Sequence, residues 1–88
     1  MKNKIALSSL AMDLHRVAMG YHRGSNKMAD RFFIEAMKRK NEIDVSSVKP
    51  YIRQLLKKLE TIEQAKPHQY SEEILTYSIL LQNAAVNS

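Results

Sequence analysis

At 88 residues and without cysteine, the chain is too short for two ordinary domains and is excluded from disulfide frameworks, thiolate metal sites and thiol catalysis. Fourteen Lys and Arg against nine Asp and Glu leave a formal charge of +5, which favours nucleic acid, anionic lipid or an acidic protein without choosing among them. No run approaches the ~18 uninterrupted apolar residues of a membrane span.

The start, Met1-Lys2-Asn3-Lys4 followed by Ile5-Ala6-Leu7, opens like a secretory signal. Ser8-Ser9 then breaks the apolar run and Asp13-Leu14-His15-Arg16 ends it, so the expected location is cytoplasmic. From there Leu7, Leu10, Leu14, Val17 and Tyr21 recur at spacings of three and four, the apolar stripe of an amphipathic helix over about 4–22. Gly20 and Gly24 bracket Tyr21-His22-Arg23, and Ser25-Asn26 follow. Glycine as a stop and Ser or Asn as a start predict a tight turn near Arg23 to Ser25; the alternative is one kinked helix running through both glycines.

The second helix is predicted over about 26–42, with Met28, Ala29, Phe32, Phe33, Ala36 and Met37 inward and Ile43 closing the stripe. Arg31 with Glu35, Glu35 with Arg39, and Lys38 with Glu42 are opposite charges at i, i+4 on its outer face. Ser46 or Ser47 offers an N-cap for a third helix over about 48–64, in which Pro50 is tolerable because it falls in the first turn. Its inward stripe is Val48, Ile52, Leu55, Leu59 and Ile62, widened by Tyr51 and Leu56, and Lys49, Arg53 and Lys57 line up outside as one basic edge. The segment from Gln64 to Tyr70 around Pro67 reads as a loop. Ser71 then caps a fourth helix over about 72–86, with Glu72 and Glu73 at the positive end of its dipole and Ile74, Tyr77, Leu81 and Ala85 inward. Four helices with short connections and no strand signal predict an all-α, antiparallel four-helix bundle, with residues 1–88 as a single helical domain.

Charge is unevenly spread along that bundle. Residues 1–24 hold four cations and one acid, whereas residues 67–88 hold Glu72 and Glu73 and neither Lys nor Arg. The two apolar segments also carry a surplus. Ile5, Met12 and Met19 form a second line at seven-residue spacing, opposite the Leu stripe, and Ile79, Leu80 and Val86 remain after one face of the last helix is buried. Either the first helix is surrounded within its own bundle, or these six residues form an oligomer interface.

For chemistry, the segment from Gly20 to Lys27 combines a helix start with His22, Arg23 and Lys27, an arrangement suited to a phosphate or carboxylate but equally to a glycine-stopped hairpin. It lacks the Gly-Lys-Ser/Thr ending of a nucleotide-binding loop. His15 and His22 are seven apart, too far to chelate one metal, and His68 stands alone beside Pro67, so neither metal nor cofactor is expected. Glu60 with Glu63 and Glu72 with Glu73 fall on polar faces or at a helix start, not in an acid/base pair. Arg16 and His22 are separated by five residues, a spacing that resembles the Arg-x(4 to 6)-His motif of the HEPN class of helical ribonucleases. Val17 follows the Arg where that family often has a polar residue. The resemblance implies a ribonuclease acting through Arg16 and His22 on an RNA phosphodiester.

Three functional expectations result. The first is a non-enzymatic helical interaction module, homodimeric, which presents its basic faces to an acidic protein partner. The second is a small nucleic-acid-binding protein using Arg16, Arg23, Lys27 and the Lys49, Arg53, Lys57 edge. The third is the HEPN-like ribonuclease.

Overall fold

The computed structural model describes residues 3–87. Within them lie four α-helices, α1 (Lys4–His22), α2 (Asn26–Asn41), α3 (Pro50–Glu63) and α4 (Ser71–Val86), with 3-10 turns at Val45–Ser47 and Pro67–Tyr70 and no strand. They form the expected antiparallel bundle, 35 × 22 × 19 Å along its principal axes. Among the described residues no helix is long and apolar enough to cross a membrane.

α1 and α2 are two separate helices, not one kinked helix, and the two glycines have different tasks. Gly24 adopts a φ of +81°, the left-handed conformation that costs an L side chain about 1 kcal/mol and glycine almost nothing. It closes α1 with paired hydrogen bonds, in which Ser25 N–H donates to Gly20 C=O (2.8 Å) and Gly24 N–H to Tyr21 C=O (3.1 Å). Gly20, by contrast, does not stop α1; it lies inside the helix and lets α2 come close. A Cβ placed on it would stand 2.9 Å from the Ala29 Cβ.

The core is built around α1. Leu10, Leu14 and Val17 of α1, Leu59 of α3, and Ile74 and Leu81 of α4 are completely enclosed, with Phe33 and Met37 packed from α2. Side chains of this kind stabilise by ~1.5 to 3 kcal/mol each when fully buried. Facing α1 closely, α2 and α4 contribute small buried residues, Ala29, Ala36, Ser78 and Ala85. α3 stands farther off across larger side chains, Ile52, Leu55, Leu56, Leu59 and Ile62.

Several local expectations need correction. Met28 and Tyr51 are exposed, not inward, and Phe32 is half-buried. The helix preceding Ile43 ends at Asn41, one residue earlier than expected. α3 begins at Pro50, because the residue before a proline is driven into extended backbone; Lys49 has φ −64° and ψ 152°. Neither Ser46 nor Ser47 caps it. Their hydroxyls donate to Asp44, whose carboxylate also accepts from Ser46 N–H and organises the 3-10 turn. The segment read as a loop before α4 is partly a 3-10 turn, and Ser71 is the first residue of α4, not its cap.

Four polar contacts tie helices together. The Asn3 amide exchanges hydrogen bonds with the Asp44 backbone (3.1 and 3.2 Å), fixing the start of α1 to the α2–α3 connection. Asp13, almost buried, accepts from Arg39 Nε of α2 at 3.2 Å and lies 3.8 Å from the Arg16 guanidinium. The Tyr21 hydroxyl donates to Asp30 at 2.5 Å. Lys40, buried along its stem, donates to Glu60 of α3 at 3.1 Å. Arg39 thus reaches across to α1 instead of pairing along its own helix with Glu35, which is met by Lys38 at 3.5 Å.

The α1–α2 approach yields a direct test. Gly20→Ala would ordinarily favour a helix by about 1 kcal/mol. Here it should lower stability by ~1 to 3 kcal/mol, because backbone and a rigid methyl must move apart. In a double-mutant cycle read by urea unfolding, Ala29→Gly should cost less in the Gly20→Ala background than alone. Additive effects would mean that the two positions do not meet.

Candidate functional site

The outer half of α1 is left bare by the fold. Its buried arc spans the Leu stripe together with Asp13 and Gly20, while Ile5 is 77% exposed and Met12 53% exposed. Met19, the third member of the line, is partly buried. On α4 the same is true of Ile79 (54%) and Val86 (64%), while Leu80 is less exposed. At 100° per residue Leu80 projects about 100° away from Ile79 and lies on a different flank.

Of these, Met12 and Ile79 meet across one groove. Ala11, Met12, His15 and Arg16 of α1 face Ser78, Ile79, Gln82 and Asn83 of α4, around a depression of about 310 Å³. α1 and α4 are antiparallel. The register that sets Met12 beside Ile79 therefore sets Ile5, seven residues earlier, level with Val86, seven residues later, and Met19 level with Glu72. Two separate seven-residue lines in the sequence become one apolar strip in space. His15, Arg16, Gln82 and Asn83 line the groove together with Met12 and Ile79.

The basic residues fall elsewhere. Lys49, just before α3, and Arg53 and Lys57 within it are exposed, and none of them lines the α1–α4 groove. Among the described residues none of the three has a carboxylate partner. His22, Arg23 and Lys27 are exposed around the α1–α2 turn. The backbone N–H groups of Arg23, Gly24 and Ser25 are spent on closing α1, so the glycine segment itself offers those donors to no anion.

Arg16 and His22 lie on one uninterrupted helix, about 120° apart around its axis and ~9 Å along it. The Arg16 guanidinium is turned to Asp13 and stands 5.9 Å above the Phe32 ring. The fold does not bring the two side chains to one point. Among the described residues no group of three or more His, Asp or Glu gathers as a metal-ligand set.

The Tyr21 phenol is strongly shifted. Burial, reinforced by the hydrogen bond to Asp30 and that carboxylate's charge, pushes the phenol well above its ordinary range. His68 meets its ring edge-on, with centroids 6.4 Å apart. In the unfolded chain the phenol ionises near pH ~10, whereas the folded chain keeps the proton to higher pH. The folded state then binds more protons than the unfolded state, so this contribution is complete below pH ~10 and is lost as pH rises further. Tyr21→Phe should lower stability at neutral pH by ~1 kcal/mol. It should also make the alkaline decline shallower by up to one proton, ~1.4 kcal/mol per pH unit. Parallel declines in the two proteins would contradict the assignment.

No family model, curated protein or solved structure matches this chain.

Proposed function

We propose that the chain is a non-enzymatic helical interaction module that pairs with a second copy through the α1–α4 face. The observation that carries this is the strip of Ile5, Met12, Ile79 and Val86, all more than half exposed and repeated at seven residues on two adjacent antiparallel helices. Seven-residue apolar spacing is what lets helices from two bodies interlock side chains along a shared seam. Exposed apolar area of this continuity on a small chain favours association.

Charge supports a second copy as the occupant and selects its orientation. A two-fold axis parallel to the bundle sets α1 of one copy against α4 of the other. That brings Arg16 and Arg23, on either side of the level of Met19, toward the first turn of the partner's α4, which carries Glu72 and Glu73. An axis perpendicular to the bundle would instead oppose α1 to α1, cations to cations. Closed two-fold dimers are also the commonest assembly. The association entropy, ~4 kcal/mol or more, is within reach of eight half-exposed side chains becoming buried.

Sedimentation equilibrium at tens of micromolar should give twice the 10.2 kDa chain mass. Met12→Glu with Ile79→Glu should give a monomer that keeps its helical circular dichroism, because both side chains are exposed within the chain itself. A monomeric parent protein would overturn the proposal.

The second reading, nucleic-acid binding, is favoured by one observation, the exposed row Lys49, Arg53 and Lys57, which has no carboxylate partner among the described residues. Phosphate contacts of this kind give salt-sensitive, sequence-blind binding. Replacing all three by Gln should flatten the log-log salt dependence of a gel-shift titration by about three units at most. Absence of any shift by the parent protein at low salt would end this reading.

A further inference from the structure

We infer that the cavity at the end of the bundle that holds the start of α1 is a binding site for a small amphiphilic carboxylate, a short hydrocarbon chain carrying one negative head group. The cavity measures about 520 Å³ and is larger than the depression in the α1–α4 groove; small-molecule sites typically range from ~300 to 1,000 Å³. Three parts of the chain build it: the first turn of α1, the entry to α3, and the last turn of α4.

Its chemistry is two-sided. Leu7 and Ile52 are buried in its floor, with Val48 and Ala84 half-buried beside them, whereas the exposed Lys4 and Lys49 stand at its rim next to Tyr51. Among the described residues no acid lines it, and neither lysine has a carboxylate partner. The nearby Asp44 carboxylate is turned into its own 3-10 turn by Ser46 and Ser47. The wall is braced, since Asn3 of the lining holds the Asp44 backbone with both amide atoms. Two cations over an apolar floor recognise a ligand that is apolar at one end and anionic at the other. A neutral chain would leave the lysines without a partner, and a bare anion would leave the floor wet. The site lies at the end of the molecule and shares no residue with the α1–α4 groove, so this inference stands apart from the proposed dimer.

The probe is octanoate, titrated calorimetrically into the full chain at low salt, with 1-octanol as the neutral analogue. The expected result is saturation at one octanoate per chain, at least fivefold tighter than 1-octanol, with hexanoate weaker by about threefold or more per methylene lost. Lys49→Gln should weaken octanoate at least fivefold. Ala84→Trp should abolish binding by filling the cavity, and Met12→Glu, in the separate groove, should leave it unchanged. Lys49→Gln changes only an exposed side chain, so it retains its force if Ala84→Trp fails to fold. The inference is overturned by an absence of saturable binding, by equal affinity for octanoate and 1-octanol, or by loss of binding in Met12→Glu with Lys49→Gln unaffected.

Discussion

The close approach of α2 to α1 at Gly20 and Ala29 is the constraint on which the remaining geometry rests. There is no room for a Cβ on Gly20, and Ala36, Ser78 and Ala85 continue the pattern of small buried residues on the helices that flank α1. Helices that meet through small residues lie nearer than the usual 8–10 Å axis separation allows for Leu-rich contacts. Two such neighbours occupy one half of the α1 circumference, and α3 closes the core behind them. The other half of α1 has no helix left to cover it. The exposure of Ile5 and Met12 is thus a consequence of how α1 is gripped, since any helix laid over them would have to come from outside the four.

The polar contacts hold the grip in register. Asp13 with Arg39, Tyr21 with Asp30 and Asn3 with the Asp44 backbone occur at three levels along the α1–α2 pair, so sliding one helix past the other by a turn would break all three together. Among the described residues, no buried side-chain nitrogen or oxygen lacks a hydrogen-bond partner. An unpaired buried polar group costs ~1 to 3 kcal/mol, more when charged, and this penalty disfavours alternative registers more strongly than the net worth of each bond favours the native one. The apolar stripes alone would permit such slips, because Leu, Val and Ala at three- and four-residue spacing offer similar surfaces one turn away. Lys40 with Glu60 extends the same restraint to α3, which otherwise meets the bundle through apolar side chains.

What could be read from the sequence follows from which information is local. Helix positions were legible because periodicity and turn residues act over a few neighbours: the Leu7 to Tyr21 stripe, the Gly24 turn and Pro50 each determine structure within one turn of themselves. The inward placing of Met28 and Tyr51 fails because an apolar residue at the margin of a stripe is buried only if a neighbouring helix extends that far. That depends on tertiary spacing. Gly20 reads as a stop by composition, and only the position of Ala29 shows that it is a contact. Asp13 and Lys40 look like surface charges when each is considered on its own helix, whereas their partners Arg39 and Glu60 are 26 and 20 residues away. The seven-residue lines in α1 and α4 were visible separately. Their alignment across one groove required the antiparallel register, and the end cavity, assembled from three distant segments, left no pattern in the sequence at all.

The distribution of surfaces has a consequence for how the molecule can be used. The apolar strip lies on the α1–α4 side, Arg53 and Lys57 on α3 with Lys49 just before it, and the cavity at the end where Lys49 stands at the rim. In the proposed dimer, a two-fold axis parallel to the bundle would set the two cavities at the same end. The assembly would then present twice the positive charge, and occupancy of the cavity by an anion would reduce that charge where the row begins, at Lys49. Within a Debye length of ~8 Å at physiological salt, neutralising one member of a three-residue row weakens its neighbours' pull on a polyanion as well as its own. Lys49 thus belongs to both the end cavity and the basic row, whereas no residue of the cavity lines the α1–α4 groove.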